Sequence, residues 1–139
     1  MRRLAERMAG PSGRDDVLQE ALLGAWKTRS RFDPELGDAR AWLLAITANH
    51  AKKAARTARS TRFQVVPCET PTAPDVRVDL ERAVICLPER QRLAIELFYF
   101  VGLPVDDVAA VMGCANGTVK STLSAARRAL ETALGRAYS

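Results

Sequence analysis

The stretch "TRFQVVPCETPTAPDVRV", residues 61–78, carries three prolines, Pro67, Pro71 and Pro74, and no helical or alternating period survives it. Proline removes a backbone donor and clashes with the turn before it, so no single helical element can run through this point. "FQVV" has some strand character, but no second strand pattern exists for it to pair with. The expected fold is therefore all-α. Two small helical domains, residues 1–60 and 79–139, are joined by a Pro-containing linker, residues 61–78.

Apolar spacing on both sides of the linker supports this. In "DDVLQEALLGAWKT", Val17, Leu18, Ala21, Leu22, Ala25 and Trp26 recur at i, i+3 and i+4, the stripe of an amphipathic helix. Asp15 and Asp16 are expected in its first turn, where the helix dipole favours negative charge. Pro34 and Gly37 break the pattern. It resumes in "ARAWLLAITANHAKKAARTAR", with Trp42, Leu43, Ala45 and Ile46 expected inward. In the second half, Leu80, Val84 and Leu87 form one stripe. Pro88 opens a further helix with Leu93, Ile95, Leu97, Phe98 and Val101 in its core.

Charge is unevenly placed. The chain of 139 residues has a net charge of +5. Residues 1–63 hold thirteen Lys/Arg against seven Asp/Glu, and residues 64–139 hold eight against nine. "NHAKKAARTARSTR", residues 49–62, contains Lys52, Lys53, Arg56, Arg59 and Arg62 and no acid. A local cluster of this kind points to an anionic partner.

Several function classes are excluded on the same grounds. No apolar run approaches the ~18 residues of a membrane span, and the basic start lacks the apolar core of a secretory signal. Cys68, Cys86 and Cys114 stand far apart with a single His50, so reduced thiols in a cytoplasmic protein, without a structural metal, are expected. The chain has no phosphate loop, no nucleophile elbow and no clustered His/Cys/Asp set, so neither catalytic residues nor a cofactor are expected.

"VDDVAAVMGCANGTVKSTL" fits a helix-turn-helix. Ala109 is small where two helices would cross, Gly113 suits a turn needing a positive φ, and Val119 lies six residues on, facing the first helix. Val108 and Met112 complete the small core, and Asn116 can cap the second helix. The early residues of that helix, Thr118, Lys120, Ser121, Thr122 and Ser124, are short or polar. Such residues suit a helix that enters a major groove. Val119, Leu123, Ala126 and Leu130 form its inward stripe, and Arg127 and Arg128 follow on the outside.

The order of these pieces carries a resemblance. "DDVLQEALLGAWKTRSRFDPELGDARAWLLAITANHAKKAAR" resembles region 2 of the sigma-70 family, in its extracytoplasmic-function (ECF) group. "LPERQRLAIELFYFVGLPVDDVAAVMGCANGTVKSTLSAARRAL" is similar to region 4. The resemblance implies an RNA polymerase sigma factor that brings the core enzyme to promoters by binding −10 and −35 DNA. Asp15, Asp16, Gln19 and Glu20 would contact the clamp coiled coil of the polymerase core. Arg40, Asn49, Lys52, Lys53, Arg56 and Arg59 would serve the −10 element, with the loop around Phe32–Ala39 helping to open it. Asn116, Thr118, Lys120, Ser121, Ser124, Arg127 and Arg128 would serve the −35 element. An anti-sigma factor is a further expected partner, and membrane insertion is not expected.

The sequence departs from the family pattern where "STLSAARRAL" stands for the frequent "SRLHRARRAL", so fewer phosphate contacts and a lower −35 affinity are expected. Pro104 and Ala115 stand where hydroxylated caps are frequent. Two other readings compete. One is a stand-alone helix-turn-helix regulator, which would need a dimer interface or sensor domain. The other is a sigma-like protein that regulates without initiating transcription.

Overall fold

The computed structural model describes residues 1–35, 37–62 and 76–138, with side chains for 1–35, 37–57 and 79–135. The expected linker falls largely on residues 63–75, outside the described residues, and so does the side chain of Arg59. Among the described residues there are helices and turns and no strand. They are α1 (Arg2–Lys27), a 3-10 turn (Arg29–Arg31), α2 (Ala39–Arg62), α3 (Val76–Ile85), α4 (Glu89–Ile95) with a π-helical continuation (Glu96–Val101), α5 (Val105–Met112) and α6 (Asn116–Tyr138).

Helix α1 starts earlier than the acidic pair suggests. It contains a break at Gly10, whose φ of 77° and ψ of 172° lie outside helical space, and Pro11 follows at once. Glycine enters that conformation at low cost, and proline is pre-set for the first turn of a new helical segment. Asp15 and Asp16 therefore sit beyond the first turn of the second segment. Arg14 bonds its neighbour Asp15 at 3.1 Å and pairs across the break with Glu6 at 3.6 Å.

The inward stripes of α1 and α2 differ in phase from the expectation. Leu4, Ala5, Met8, Val17, Ala21 and Ala25 are buried in α1, whereas Leu22 and Trp26 are exposed. In α2 the buried set is Ala41, Leu44, Thr47, Ala48 and Ala51, with Trp42, Leu43, Ala45 and Ile46 half-buried. Small side chains let two backbones approach closely, so α1 and α2 bury alanines against each other and turn several large residues outward. Thr47 is tolerated inside because its hydroxyl donates to the Leu43 carbonyl at 2.8 Å.

The C-terminal half follows the expected pattern more closely. Val84, Leu87, Leu93, Ile95, Leu97, Val108, Val119, Leu123 and Ala126 are buried, and Phe98, Val101, Met112 and Leu130 pack against them. Leu80 is on the surface. Helix α5 ends at Gly113, with φ 67° and ψ 39°, and the Cys114 N–H closes the turn on the Ala109 carbonyl at 3.1 Å. The start of α6 is not capped by Asn116. The Ala115 carbonyl accepts from the Val119 N–H at 3.1 Å, and the Asn116 amide instead donates to Asp106 on α5. Buried side chains of both halves form one continuous cluster, with α1 and α2 packed on the helices of the second half.

Cys114 is free, but Cys86, just after α3, is disulfide-bonded, so the expectation of reduced thiols fails there.

Candidate nucleic-acid interface

Helix α6 presents the residues expected at a −35 element. At about 100° per residue, Lys120, Ser121, Ser124, Arg127 and Arg128 share one face, opposite the buried Val119, Leu123 and Ala126. Asn116, Thr118, Lys120, Ser121, Arg127 and Arg128 are exposed and Ser124 is half-buried. Four polar groups of this helix are partly engaged within the protein. The Ser121 and Thr122 hydroxyls donate to the Thr118 carbonyl at 3.0 and 2.7 Å. Arg127 Nε donates to the Tyr99 hydroxyl at 2.8 Å, which steadies its guanidinium at the edge of the face. Asn116 is committed to Asp106 and ties α5 to α6.

The residues expected at a −10 element do not all come together. Asn49, Lys53 and Arg56 lie along one exposed face of α2, with Lys52 at its half-buried border. Arg40 is exposed but two and a half turns earlier, at the other end of the helix and on a different side. Arg56 reaches Glu89 of α4 at 3.3 and 3.4 Å, an exposed pair worth little on its own.

At the start of α2, Phe32 and Trp42 pack with ring centroids 5.2 Å apart and an interplanar angle of 47°. They line a shallow groove with Arg31, Asp38, Ala45 and, from α5, Ala110. The loop leading in is ordered by Asp38, whose carboxylate accepts from the Ala41 N–H at 2.7 Å.

The polar face of α1 is also exposed, with Asp15, Asp16, Gln19 and Glu20 all at the surface. Asp16 and Glu20 line a groove between α1 and α2 with His50 and Lys53, so members of two expected contact sets share one concavity. Beside them lies a feature that the spacing argument missed: Leu22, Leu23 and Trp26 are 56%, 47% and 66% exposed. The Arg29 guanidinium stacks over Trp26 at 4.0 Å from its centroid. A helix stripe wide enough to leave three large apolar residues outside was the available signal.

A second missed site is buried. Glu96, 1% exposed, accepts from Arg7 Nε and from Arg7 Nη2 at 3.3 Å, while Arg7 also donates to both oxygens of Glu81 at 3.1 Å. Burial alone would lower the pKa of Arg7. The bonds and charges of Glu96 and Glu81 outweigh that and hold it above its ordinary value, so the guanidinium stays charged. The lone carboxylate inside the apolar run "LAIELFYFV" signals that such a cation is needed.

Among the described residues no group of three or more His, Cys, Asp or Glu could hold a metal ion, and no helix is long and apolar enough to cross a membrane.

Comparison with known proteins matches residues 1–61 to sigma-70 region 2 and residues 77–130 to sigma-70 region 4. The ECF RNA polymerase sigma factor SigL of Mycobacterium tuberculosis is 34% identical over 144 residues, covering 95% of this chain and 81% of that one. Two solved structures share the fold. The sigma factor RpoE from Bartonella quintana, in complex with the anti-sigma factor NepR, aligns with TM-score 0.72 and 28% identity over 96% of this chain and 89% of that chain. CnrH, in complex with the cytosolic domain of CnrY, aligns with TM-score 0.73 and 27% identity over 96% and 79%.

Proposed function

The chain belongs to the ECF group of the sigma-70 family and is an RNA polymerase sigma factor, and from that premise we propose how its residues divide the work. The observation that carries the assignment is the presence of both regions, in order, in one chain aligned along most of its length with SigL. A stand-alone helix-turn-helix regulator would have no use for the region 2 match over residues 1–61.

In this reading residues 1–60 bind core polymerase and the −10 element, and residues 79–139 bind the −35 element, with 61–78 connecting them. Asp15, Asp16, Gln19 and Glu20 make polar contacts with the polymerase clamp, and the exposed Leu22, Leu23 and Trp26 add apolar area beside them. Asn49, Lys53 and Arg56 follow the −10 strand, with Lys52 and Arg59 neutralising phosphates and Arg40 acting at the far end of α2. Lys120 and Ser121 meet base edges in the −35 groove. Arg127 and Arg128 reach phosphates, and Asn116, Thr118 and Ser124 add polar contacts to the −35 element from the same helix. The chain itself contributes no bond-making chemistry; the polymerase does.

An anti-sigma factor is a partner in this reading, by analogy with RpoE, which was solved in complex with the anti-sigma factor NepR. The cytoplasm, where polymerase works, is its proposed location. Run-off transcription with purified core polymerase, this chain and a promoter-fragment library tests the reading. Transcripts that depend on the chain and start at shared −10 and −35 sequences are expected. Core binding without any transcript would leave a sigma-like regulator instead.

A further inference from the structure

Tyr99 is 53% exposed, although its neighbours Phe98 and Phe100 are half-buried. The Phe98 ring packs on the core and meets Tyr99 edge-on, with centroids 4.9 Å apart and planes at 86°. The phenol is thus propped as it leaves the π-helical turn. Its hydroxyl ends at Arg127 of α6, accepting from Nε at 2.8 Å. The guanidinium carbon lies 5.8 Å from the ring centroid, so the cation meets Tyr99 chiefly through its oxygen.

A phenol has one O–H and two lone pairs, and a guanidinium has five N–H donors. The contact uses one lone pair and the Nε–H, leaving the hydroxyl proton and the Nη donors open. Among the described residues no carboxylate pairs with Arg127, whereas Arg7, Arg14, Arg56 and Arg92 each have an acid. Arg127 stands seven residues after Lys120 on the same face, nearly two turns and ~10 Å along α6. A major groove is about 12 Å wide, so a helix whose Lys120 meets base edges brings Arg127 to the phosphate rim. The demand on that arginine is high in this chain. Thr122 and Ala125 stand where the family pattern frequently has arginine, and only Arg127 and Arg128 of that set remain.

Resting on the sigma-factor reading above, we propose that Tyr99 is a DNA-binding residue: its hydroxyl and the Arg127 guanidinium together grip one backbone phosphate of duplex DNA. The Nη donors of Arg127 and the Tyr99 O–H point to oxygens of the same phosphate. Accepting from a cation polarises the phenol and makes its O–H a stronger donor. The Nε bond also holds the guanidinium in place before DNA arrives, so less side-chain freedom is lost on binding. Tyr99 therefore adds affinity without adding charge.

Fluorescence anisotropy of the full chain with a random-sequence DNA duplex of about 20 base pairs, at several salt concentrations, tests the grip. Tyr99→Phe should bind about fivefold more weakly with an unchanged salt slope, because a neutral donor releases no counterion. Arg127→Ala should lower the slope by about one, and adding Tyr99→Phe to it should cost nothing further. Arg127→Lys keeps the charge but loses the fork, so it should keep the slope and lose the sensitivity to Tyr99→Phe. Both side chains are at the surface, so circular dichroism should show wild-type helix content and melting in every variant. A purely structural strap would lower the melting temperature and leave affinity alone. A wild type that does not bind the duplex, wild-type affinity in Tyr99→Phe, or equal losses from Tyr99→Phe with and without Arg127 overturns the proposal. Wild-type run-off transcription separates the two failures. Transcripts with a failed grip remove Tyr99 alone, and absent transcripts remove the sigma-factor reading while the duplex measurement still decides the grip.

Discussion

Lys120 is an exposed cation one helical turn inside α6, on the same face as Ser121 and Ser124. Lys120→Ala is expected to weaken protection of the −35 region in footprinting and, if the contact is to phosphate, to lower the salt slope of binding by about one. Unchanged protection would remove this face from the groove. Gly113 is a different kind of residue, since a Cβ there meets nothing within 4 Å yet the backbone sits at φ 67°. Gly113→Ala therefore costs backbone energy rather than a clash, about 1–2 kcal/mol of unfolding free energy, readable by urea denaturation. Wild-type stability in that variant would show that the turn relaxes to another conformation. Trp26 carries no comparable structural load. Trp26→Ala should leave the folding free energy within about 0.5 kcal/mol and still reduce affinity for core polymerase in a pull-down or titration, whereas intact affinity would exclude the apolar patch from docking.

At the scale of elements, some stripes were legible and others were not, for a physical reason. The Val119–Leu123–Ala126 stripe is readable because α6 buries one narrow row of apolar residues and exposes polar ones everywhere else. The Ala109, Gly113 and Val119 trio was readable because each position has a separate steric demand that few residue types meet. Helices α1 and α2 invert that logic. Ala5, Ala21, Ala25, Ala41, Ala48 and Ala51 are buried beside Leu4, Met8, Val17 and Leu44, while Leu22, Leu23 and Trp26 face outward, so side-chain volume does not mark the inward side. Hydrophobic spacing alone cannot distinguish a surface kept apolar for a partner from one turned to the core. The Arg7–Glu96 pair was half legible: Glu96 announced a need, but its answer lay 89 residues away. Among the proposed site residues, surface placement on the expected helices was readable. Arg40's separation from Asn49 and Arg56's engagement with Glu89 depend on helix phase and on the packing of the two halves.

For the whole molecule, the interface between halves mixes one buried ion pair with one exposed pair, and the two should answer salt differently. The Debye length shrinks from about 10 Å at 0.1 M to about 3 Å at 1 M, which weakens Arg56–Glu89 and barely touches Arg7–Glu96. The radius of gyration of the free chain should therefore stay constant between 0.1 and about 0.5 M salt in small-angle scattering. Expansion across that range would mean that surface charge, not the buried contact, holds the halves together. Binding of the same chain to DNA should fall steeply over that interval, because it depends on phosphate neutralisation.

The wide turn from Glu96 to Val101 adds a last consequence. A π-helical turn behaves as an α-helix with one residue too many, and the wider turn absorbs that surplus within itself. Deleting a single residue between Phe98 and Val101 would let the turn wind down to ordinary pitch and leave the following helices close to their present phase relative to Glu96. The surplus residue is thus a spare length of chain stored beside the helix-turn-helix, which the helices after it do not feel.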